Sequence, residues 1–230
     1  MNETPLKPKN SQTVWANGDN DPFYQHIKSD GLRQFAEKAG LQSGCDLDAV
    51  AGYINNSKSI LEVGAGYGRV IEYLLAHNYQ GQITAIEKNA ILFNELKTKY
   101  QDSVNLLNID VLDSEKLGQK FDLILLMWSS IAGFSRSQQK IVIKNLSNLI
   151  STNGRLIVDT MAEHVKPFFT EDLGEQGLAL TFENHTVYIY EPSQAEMFNY
   201  QKYADLEEIK KLNYLSKTKR HRLIYIFKTL

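Results

Sequence analysis

The fold is decided by the stretch ILEVGAGYGRV, residues 60–70. Its apolar start predicts a buried strand, and the alternating glycines Gly64, Gly66 and Gly68 predict a tight turn. Gly64 and Gly66 lack a Cβ atom, so their backbone can adopt positive φ and a ligand can approach it closely. Gly68 is expected to let the following helix pack tightly on the strand. The stretch therefore predicts a strand–turn–helix unit that binds a nucleotide-like ligand.

Short apolar runs alternate with amphipathic stretches from this unit to about residue 160, which predicts strand–helix repeats around a parallel sheet. The predicted strands are residues 59–63, 82–87, 104–109, 121–127 and 155–160. The predicted helices are residues 67–77, 90–100 and 137–150, with a short or absent helix at 113–117.

The two ends of the chain have weaker patterns. Residues 1–21 are polar and are expected to form a loose arm, followed by helices at 24–39 and 46–54. The C-terminal part predicts strands at 178–190 and 196–203 around a turn at Pro192-Ser193, a short helix at 206–212 and a final strand at 221–227.

Composition limits the classes of function. The chain has 230 residues, of which 43% are hydrophobic and 23% charged, so one globular domain is expected. The net charge of −2 disfavours nucleic acid and anionic lipid as partners. There is one cysteine, Cys45, and no apolar run long enough to span a bilayer. We expect a cytoplasmic protein without a membrane partner.

Acidic residues end the second and third predicted strands. Glu87 lies about twenty residues beyond the glycines, where a carboxylate can accept hydrogen bonds from ribose hydroxyls. Asp110 follows the third strand. A dinucleotide fingerprint would also use Glu87, but it requires its third glycine at position 69, which is Arg69. Taken singly, each acid is equally consistent with a strand-end residue that faces water.

These features resemble the class I, Rossmann-like S-adenosylmethionine-dependent methyltransferases. The resemblance covers about residues 57–160 and rests on the acidic-x-Gly-x-Gly-x-Gly motif from Glu62 to Gly68, on Asp110, on the Phe121-Asp122 pair and on NGRLIV at 153–158. It implies an α/β fold with a doubly wound, mostly parallel seven-stranded sheet, an antiparallel C-terminal strand, an N-terminal helical arm and a β-hairpin insertion after strand five.

The resemblance implies S-adenosyl-L-methionine as cofactor and S-adenosyl-L-homocysteine as product. The residues that match the cofactor-binding positions are Glu62, Gly64, Ala65, Gly66, Gly68, Glu87, Lys88, Asp110, Val111, Met127 and Trp128. The alternative role for Trp128 is as a buried packing residue. No catalytic metal is implied, because Trp128 and Asp159-Thr160 stand where the catechol-type enzymes carry metal-binding residues.

The segment after strand four bears on the methyl acceptor. Met127-Trp128-Ser129-Ser130 replaces the Asn/Asp-Pro-Pro-Tyr/Phe quartet of many enzymes that methylate base or glutamine nitrogens. Residues 128–134 look more like the same loop of small-molecule N- and O-methyltransferases. The expected partner is a small-molecule acceptor, methylated by direct in-line transfer, and the expected state is a monomer or homodimer. Protein or RNA methylation and a non-catalytic, cofactor-binding role remain alternatives.

Candidate catalytic residues lie outside the glycine unit. Tyr24 and His26 occur in a segment similar to one that closes over the cofactor in related enzymes, although Gln25 stands where many of these have Asp. His164, just past strand five, is a candidate general base. Structural roles are equally open for all three. We expect residues 1–56 to form an arm and helices covering the active site, and 57–230 the methyltransferase domain, with a hairpin or lid insertion at about 177–203.

The basic run at residues 217–222 has two interpretations. Its four Lys and Arg residues can bind phosphate, but the run lies between a predicted helix and the final strand, where a solvated charged turn is usual. The aromatic residues of the predicted hairpin likewise fit a lid, a dimer surface or ordinary sheet packing.

Overall fold

The computed structural model describes residues 20–162, 170–172, 177–182 and 184–230. Its main sheet has seven strands in the order β3-β2-β1-β4-β5-β10-β9. These strands are β1 Ser59–Val63, β2 Gln82–Ile86, β3 Asn105–Leu107, β4 Phe121–Leu126, β5 Ile150–Met161, β9 Leu206–Leu215 and β10 His221–Thr229. Strands β1 to β5 are parallel, and β10 runs antiparallel to both β5 and β9. The predicted α/β class and seven-stranded sheet are confirmed.

Helices connect the strands and lie on both faces of this sheet. They are α1 Asp21–Ala39, α2 Cys45–Asp48, α3 Ala51–Asn55, α4 Arg69–Ala76, α5 Ala90–Tyr100, α6 Arg136–Ser147 and α7 Gln194–Tyr203, with 3₁₀ helices at Val111–Leu117 and Ser130–Gly133. No helix within the described ranges is long and apolar enough to cross a membrane.

The central strands are buried on both faces because helices cover each side. Successive residues of β1 point to opposite faces, so Ile60 and Leu61 enter two different apolar cores. The same alternation separates Leu123 from Ile124 on β4. A strand of this type appears in the sequence as a short continuous apolar run, which is why residues 59–63 and 121–127 are predictable.

The N-terminal helix α1 packs over the carboxyl-end edge of the sheet. Its residues Phe23, Ile27 and Leu32 form a third apolar cluster with Leu92 of α5 and Val187 of the C-terminal half. The helix is interrupted at Lys28, where φ is 51° and ψ is −166°. This helix therefore covers the edge at which ligands bind in open α/β sheets.

A second, three-stranded antiparallel sheet contains β6 Thr170–Asp172, β7 Leu178–Phe182 and β8 His185–Ile189. Asn20 connects this sheet to the rest of the molecule. Its side-chain NH₂ group donates to the carbonyls of Gly133 and Tyr188 at 3.3 and 3.0 Å. Its Oδ1 accepts from the Tyr188 N–H at 3.0 Å. The hairpin β7–β8 therefore lies beside α1 and the segment after β4.

The sequence-based prediction is wrong in two places after residue 190. Residues 194–203 form helix α7 rather than a strand, because Ser193 and Glu196 make a capping box at its start. Residues 206–215 form edge strand β9 rather than a helix. Ile226 of β10 pairs with Lys210 and Phe227 pairs with Glu208, so Ile209 is an unpaired bulge residue. The bulge shifts the alternation of side chains along β9 and gives its apolar residues a helix-like spacing.

The predicted single strand at 178–190 is the hairpin β7–β8, so the insertion at 177–203 consists of this hairpin followed by a helix. The predicted helix at 46–54 is two short helices, α2 and α3. Strand β5 begins at Ile150, which the prediction assigned to the preceding helix, and a 3₁₀ helix occupies Val111–Leu117. The other predicted helices and strands agree apart from their end residues.

Candidate functional site

A cavity of about 380 Å³ lies at the carboxyl ends of the parallel strands. It is bounded by the glycine turn after β1, by the segments after β2, β3 and β4, by α1 and by the hairpin β7–β8. Ten of the eleven predicted cofactor residues line it: Glu62, Gly64, Ala65, Gly66, Glu87, Lys88, Asp110, Val111, Met127 and Trp128. Gly68 does not line the cavity.

The three glycines of the turn all have positive φ, at 70° for Gly64, 57° for Gly66 and 88° for Gly68. A Cβ at Gly64 or Gly66 would lie at least 3.5 Å from the nearest protein atoms, so crowding by the protein does not explain glycine at these two positions. The left-handed backbone and the adjoining ligand cavity explain it instead. A Cβ at Gly68 would lie 2.7 Å from Tyr100 and 2.9 Å from Leu96. Gly68 thus permits close packing against α5, whereas the expected contact was with the strand.

Glu62 places a carboxyl group beneath the glycine turn. Its side chain is 4% exposed, and Oε2 has no hydrogen-bond partner among the described residues. Burial raises the pKa of the carboxyl group to about 8, although the Arg69 charge and the nearby Val70 N–H favour the ionised form. A buried polar atom without a partner carries an energetic cost, so a hydrogen-bond donor or cation in the cavity is expected at this position.

Glu87 fixes the glycine turn relative to the end of β2. Its Oε2 accepts from the Gly66 N–H and its Oε1 from the Asn89 N–H, both at 2.8 Å. Burial raises the pKa of this carboxyl group, and the two N–H donors act in the opposite direction. Each carboxylate oxygen has a second lone pair, so Glu87 can also accept bonds from a ligand.

Asp110 begins the 3₁₀ helix after β3, where its Oδ1 accepts from the Leu112 N–H at 2.9 Å. Its Oδ2 lies 3.5 Å from Lys88 Nζ, which extends from the end of β2. Val111, next to Asp110, is buried and lines the same wall of the cavity. An acceptor group beside an apolar side chain is suited to the amine and face of a heteroaromatic ring.

The segment after β4 has an unusual backbone. Trp128 and Ser129 have φ of 50° and 52°, which costs about 1–3 kcal/mol for each non-glycine residue and is often associated with functional sites. The Met127 carbonyl accepts bonds from the N–H and hydroxyl of Ser130 at 3.1 and 2.7 Å. Trp128 is partly buried against the third apolar cluster and also lines the cavity.

The three candidate catalytic residues have different positions. Tyr24 lines the cavity, and burial, together with Glu87 and Asp21, raises the pKa of its hydroxyl to about 12. His26 is exposed, stacks on His185 at 4.0 Å and does not line the cavity. His164 lies outside the described residues. Of the two candidates that the structure describes, Tyr24 lies at the site and His26 does not.

Two buried ion pairs flank the site. Arg69 donates to both carboxylate oxygens of Asp46 at 2.8 and 2.6 Å, and this pair anchors α2 to α4, the helix that follows the glycine turn. Arg222 contacts both oxygens of Asp159 at 3.1 and 2.6 Å and also the Ser129 hydroxyl at 2.8 Å. Arg222 belongs to the basic run at 217–222, so the expectation of a wholly solvated turn is wrong for this residue.

Two cavity residues that were not predicted from the sequence connect the hairpin to the rest of the cavity wall. Asn20 binds the hairpin, as described above, and Glu191 follows β8 and lines the cavity. Glu191 Oε2 accepts from the Met161 N–H at 3.3 Å, and burial raises the pKa of this carboxyl group although Arg222 and the nearby Ser129 hydroxyl favour its ionised form. Both residues are far in sequence from their partners, so no local pattern marks them.

The fold and the site define the chain as a Rossmann-like α/β protein with a ligand cavity at its strand carboxyl ends. Residues 61–156 match the family model described as "Methyltransferase domain". No curated protein matches the sequence significantly.

Several solved structures share this fold over almost the whole chain. A 1,6-didemethyltoxoflavin-N1-methyltransferase from Burkholderia thailandensis has a TM-score of 0.66 and 15% identity, covering 98% of this chain and 93% of its own. The magnesium protoporphyrin IX methyltransferase from Synechocystis PCC 6803 has a TM-score of 0.63 and 13% identity, with coverage of 96% and 100%.

A S-adenosylmethionine-dependent methyltransferase from Clostridium acetobutylicum has a TM-score of 0.62 and 15% identity, covering 92% of this chain and 99% of that one. At these identities the neighbours establish the fold. Residues 61–156 match a methyltransferase domain, and the chain has the Rossmann-like fold of the solved methyltransferases named here.

Proposed function

We propose that this enzyme transfers a methyl group from S-adenosylmethionine to a nitrogen or oxygen of a small molecule. The observation that carries the proposal is the single cavity in which the glycine turn, Glu62, Glu87 and Asp110 adjoin the hairpin side. A cavity of about 380 Å³ lies within the usual range for small-molecule sites. The neighbours named above include two small-molecule methyltransferases.

The residues present fit the methyl donor. The unpartnered Oε2 of Glu62 suits a cationic donor group, and the Glu87 carboxylate suits the ribose hydroxyls. Asp110 would accept a bond from the adenine amine while Val111 covers the ring. When bound, S-adenosylmethionine supplies an already activated methyl group, so the chain needs no metal or covalent nucleophile for this chemistry.

The protein contributes mainly by holding two reactants in line and excluding water. Helix α1 covers the cavity from one side, and Tyr24 lies in its lining. Because the pKa of Tyr24 is about 12, this residue would act at neutral pH as a hydroxyl that donates hydrogen bonds and not as a base. We retain the arm with its helices as the covering segment, and His164 as a candidate base.

Two other functions remain to be separated by experiment. One is methylation of protein or RNA, which requires an open acceptor side. The other is cofactor binding without catalysis. The net charge of −2 and the enclosure of the cavity by the hairpin favour a small acceptor over RNA.

Transfer of a labelled methyl group separates these functions. We expect S-adenosyl-[methyl-³H]methionine, incubated with the protein and a cell extract, to label the small-molecule fraction and not the protein or RNA fraction. The extract without added protein, and with the Asp110→Ala variant, gives the background. Label that appears only in protein or RNA would contradict the small-molecule proposal, and absence of label from every fraction would contradict catalysis.

A further inference from the structure

Glu191 places a carboxyl group in the cavity lining just after β8, and it is not one of the residues assigned to the methyl donor. One of its oxygens, Oε2, accepts from the Met161 N–H at 3.3 Å, and the nearby Ser129 hydroxyl favours the ionised carboxylate by lowering its pKa. Its other oxygen, Oε1, is buried and has no hydrogen-bond partner among the described residues. The end of β5 therefore holds this side chain through one oxygen, while the other oxygen is left for a donor.

Glu191 shares the cavity lining with the segment after β4. Ser129 lies close enough to lower the pKa of the Glu191 carboxyl group, and Ser129 and Ser130 line the same cavity as Gly64. Ser129 itself is held by Arg222 at 2.8 Å and has a left-handed backbone conformation. The carboxyl group is thus positioned beside the segment that separates the donor turn from the hairpin.

Among the described residues, the charged groups that act on the pKa of Glu191 are Arg222 from β10 and Asp159 from β5. Arg222 is already paired through two bonds with Asp159, which also accepts from the Tyr214 hydroxyl at 2.9 Å. The attraction of Arg222 therefore does not offset burial, and the pKa of Glu191 is raised to about 7. A carboxyl group in this range can be ionised at neutral pH and still accept a proton effectively.

We infer that Glu191 is the catalytic residue that binds the N–H or O–H group of the methyl acceptor and takes up its proton through Oε1. This inference rests on the proposed function. The acceptor lone pair forms the new bond to the methyl carbon, the carbon–sulfur bond breaks with its electron pair kept by sulfur, and the acceptor proton passes to the carboxylate. The acceptor class is then a small amine or hydroxyl compound.

The test compares Glu191→Gln with Glu208→Gln, a matched change of an exposed glutamate on β9. The rate of S-adenosylhomocysteine release is measured against pH, with the untreated small-molecule fraction of the extract as the source of acceptor. We expect wild type and Glu208→Gln to lose activity as pH falls through about 7, the pKa of Glu191. Glu191→Gln should lose about 100-fold or more in kcat and lack this acidic limb.

Two further measurements separate this role from a structural one. Calorimetry should show that Glu191→Gln binds S-adenosylhomocysteine as tightly as wild type. In protein labelled with [δ-¹³C]glutamate, the carboxyl resonance that is missing from the Glu191→Gln spectrum is assigned to Glu191. In wild-type protein without acceptor, this resonance should titrate near pH 7.

The outcomes are distinct. An unchanged pH profile in Glu191→Gln, a parallel loss of S-adenosylhomocysteine binding, or a resonance that titrates near the ordinary glutamate pKa of about 4.3 would overturn the inference. If wild type binds S-adenosylhomocysteine but releases none from S-adenosylmethionine with any fraction, the proposed catalysis fails and the inference fails with it.

Discussion

Glu62 is a carboxyl group whose ionisation depends on what fills the cavity. Burial raises its pKa to about 8, so without a ligand it is mostly protonated at pH 7. A cationic ligand beside its unpartnered oxygen favours the ionised form, because the charges attract and the oxygen gains a partner. Cofactor binding and loss of a proton from Glu62 are therefore expected to be linked.

This linkage predicts that S-adenosylmethionine binding at pH 7 releases up to about one proton per molecule bound. Affinity should rise as pH increases towards about 8, since less free energy is then needed to ionise Glu62. Calorimetry in buffers of different ionisation enthalpy measures the proton count. Glu62→Gln should abolish the release, and the exposed-site control Glu208→Gln should not. Equal release by wild type and Glu62→Gln would show that Glu62 is not the linked group.

At the level of elements, Gly68 joins the cofactor turn to helix packing. Both Gly68 and Gly118 have left-handed φ, at 88° and 62°, but only Gly68 is crowded, by Tyr100 and Leu96 of α5. Gly118 has open space where a Cβ would lie. Replacing either glycine by alanine should therefore have a similar backbone cost, whereas the packing cost should be larger at Gly68.

We predict that Gly118→Ala lowers the free energy of unfolding by about 1–2 kcal/mol, the cost of a left-handed non-glycine residue. Gly68→Ala should lower it by a further amount of about 1–3 kcal/mol, because the new methyl group overlaps α5. Urea denaturation of both variants measures this difference. Equal losses would mean that α5 moves aside and that Gly68 serves only the turn.

Elements differ in how well the sequence predicts them. Strands β1 to β5 and their helices follow from local patterns, because each strand is a short apolar run and each helix has one apolar face. The elements after residue 190 depend on a capping box at Ser193 and a bulge at Ile209, and the second of these exists only once β9 pairs with β10. Tertiary pairing there overrides a spacing typical of a helix.

At the level of the whole molecule, the residues proposed to bind the methyl donor and those proposed for the acceptor half of the site are distributed differently along the sequence. The donor half lies on consecutive strand ends, from Glu62 to Asp110, so a single glycine motif and its spacing indicate it. The acceptor half joins Asn20 near the N-terminus to Glu191 and to Arg222 on the last strand. These residues meet only after the sheet and hairpin have formed, so the sequence predicts a cofactor without predicting its acceptor site.

Calorimetric binding of S-adenosylhomocysteine tests whether the cavity is a methyl-donor site. We expect wild type to bind this ligand and Asp110→Ala to bind it much more weakly, because an acceptor for the adenine amine is lost. Asp113 is an exposed residue of the 3₁₀ helix that follows Asp110, and Asp113→Ala should bind S-adenosylhomocysteine as tightly as wild type does. A protein that ignores S-adenosylhomocysteine but binds NAD, or two aspartate variants with equal affinity, would contradict the account.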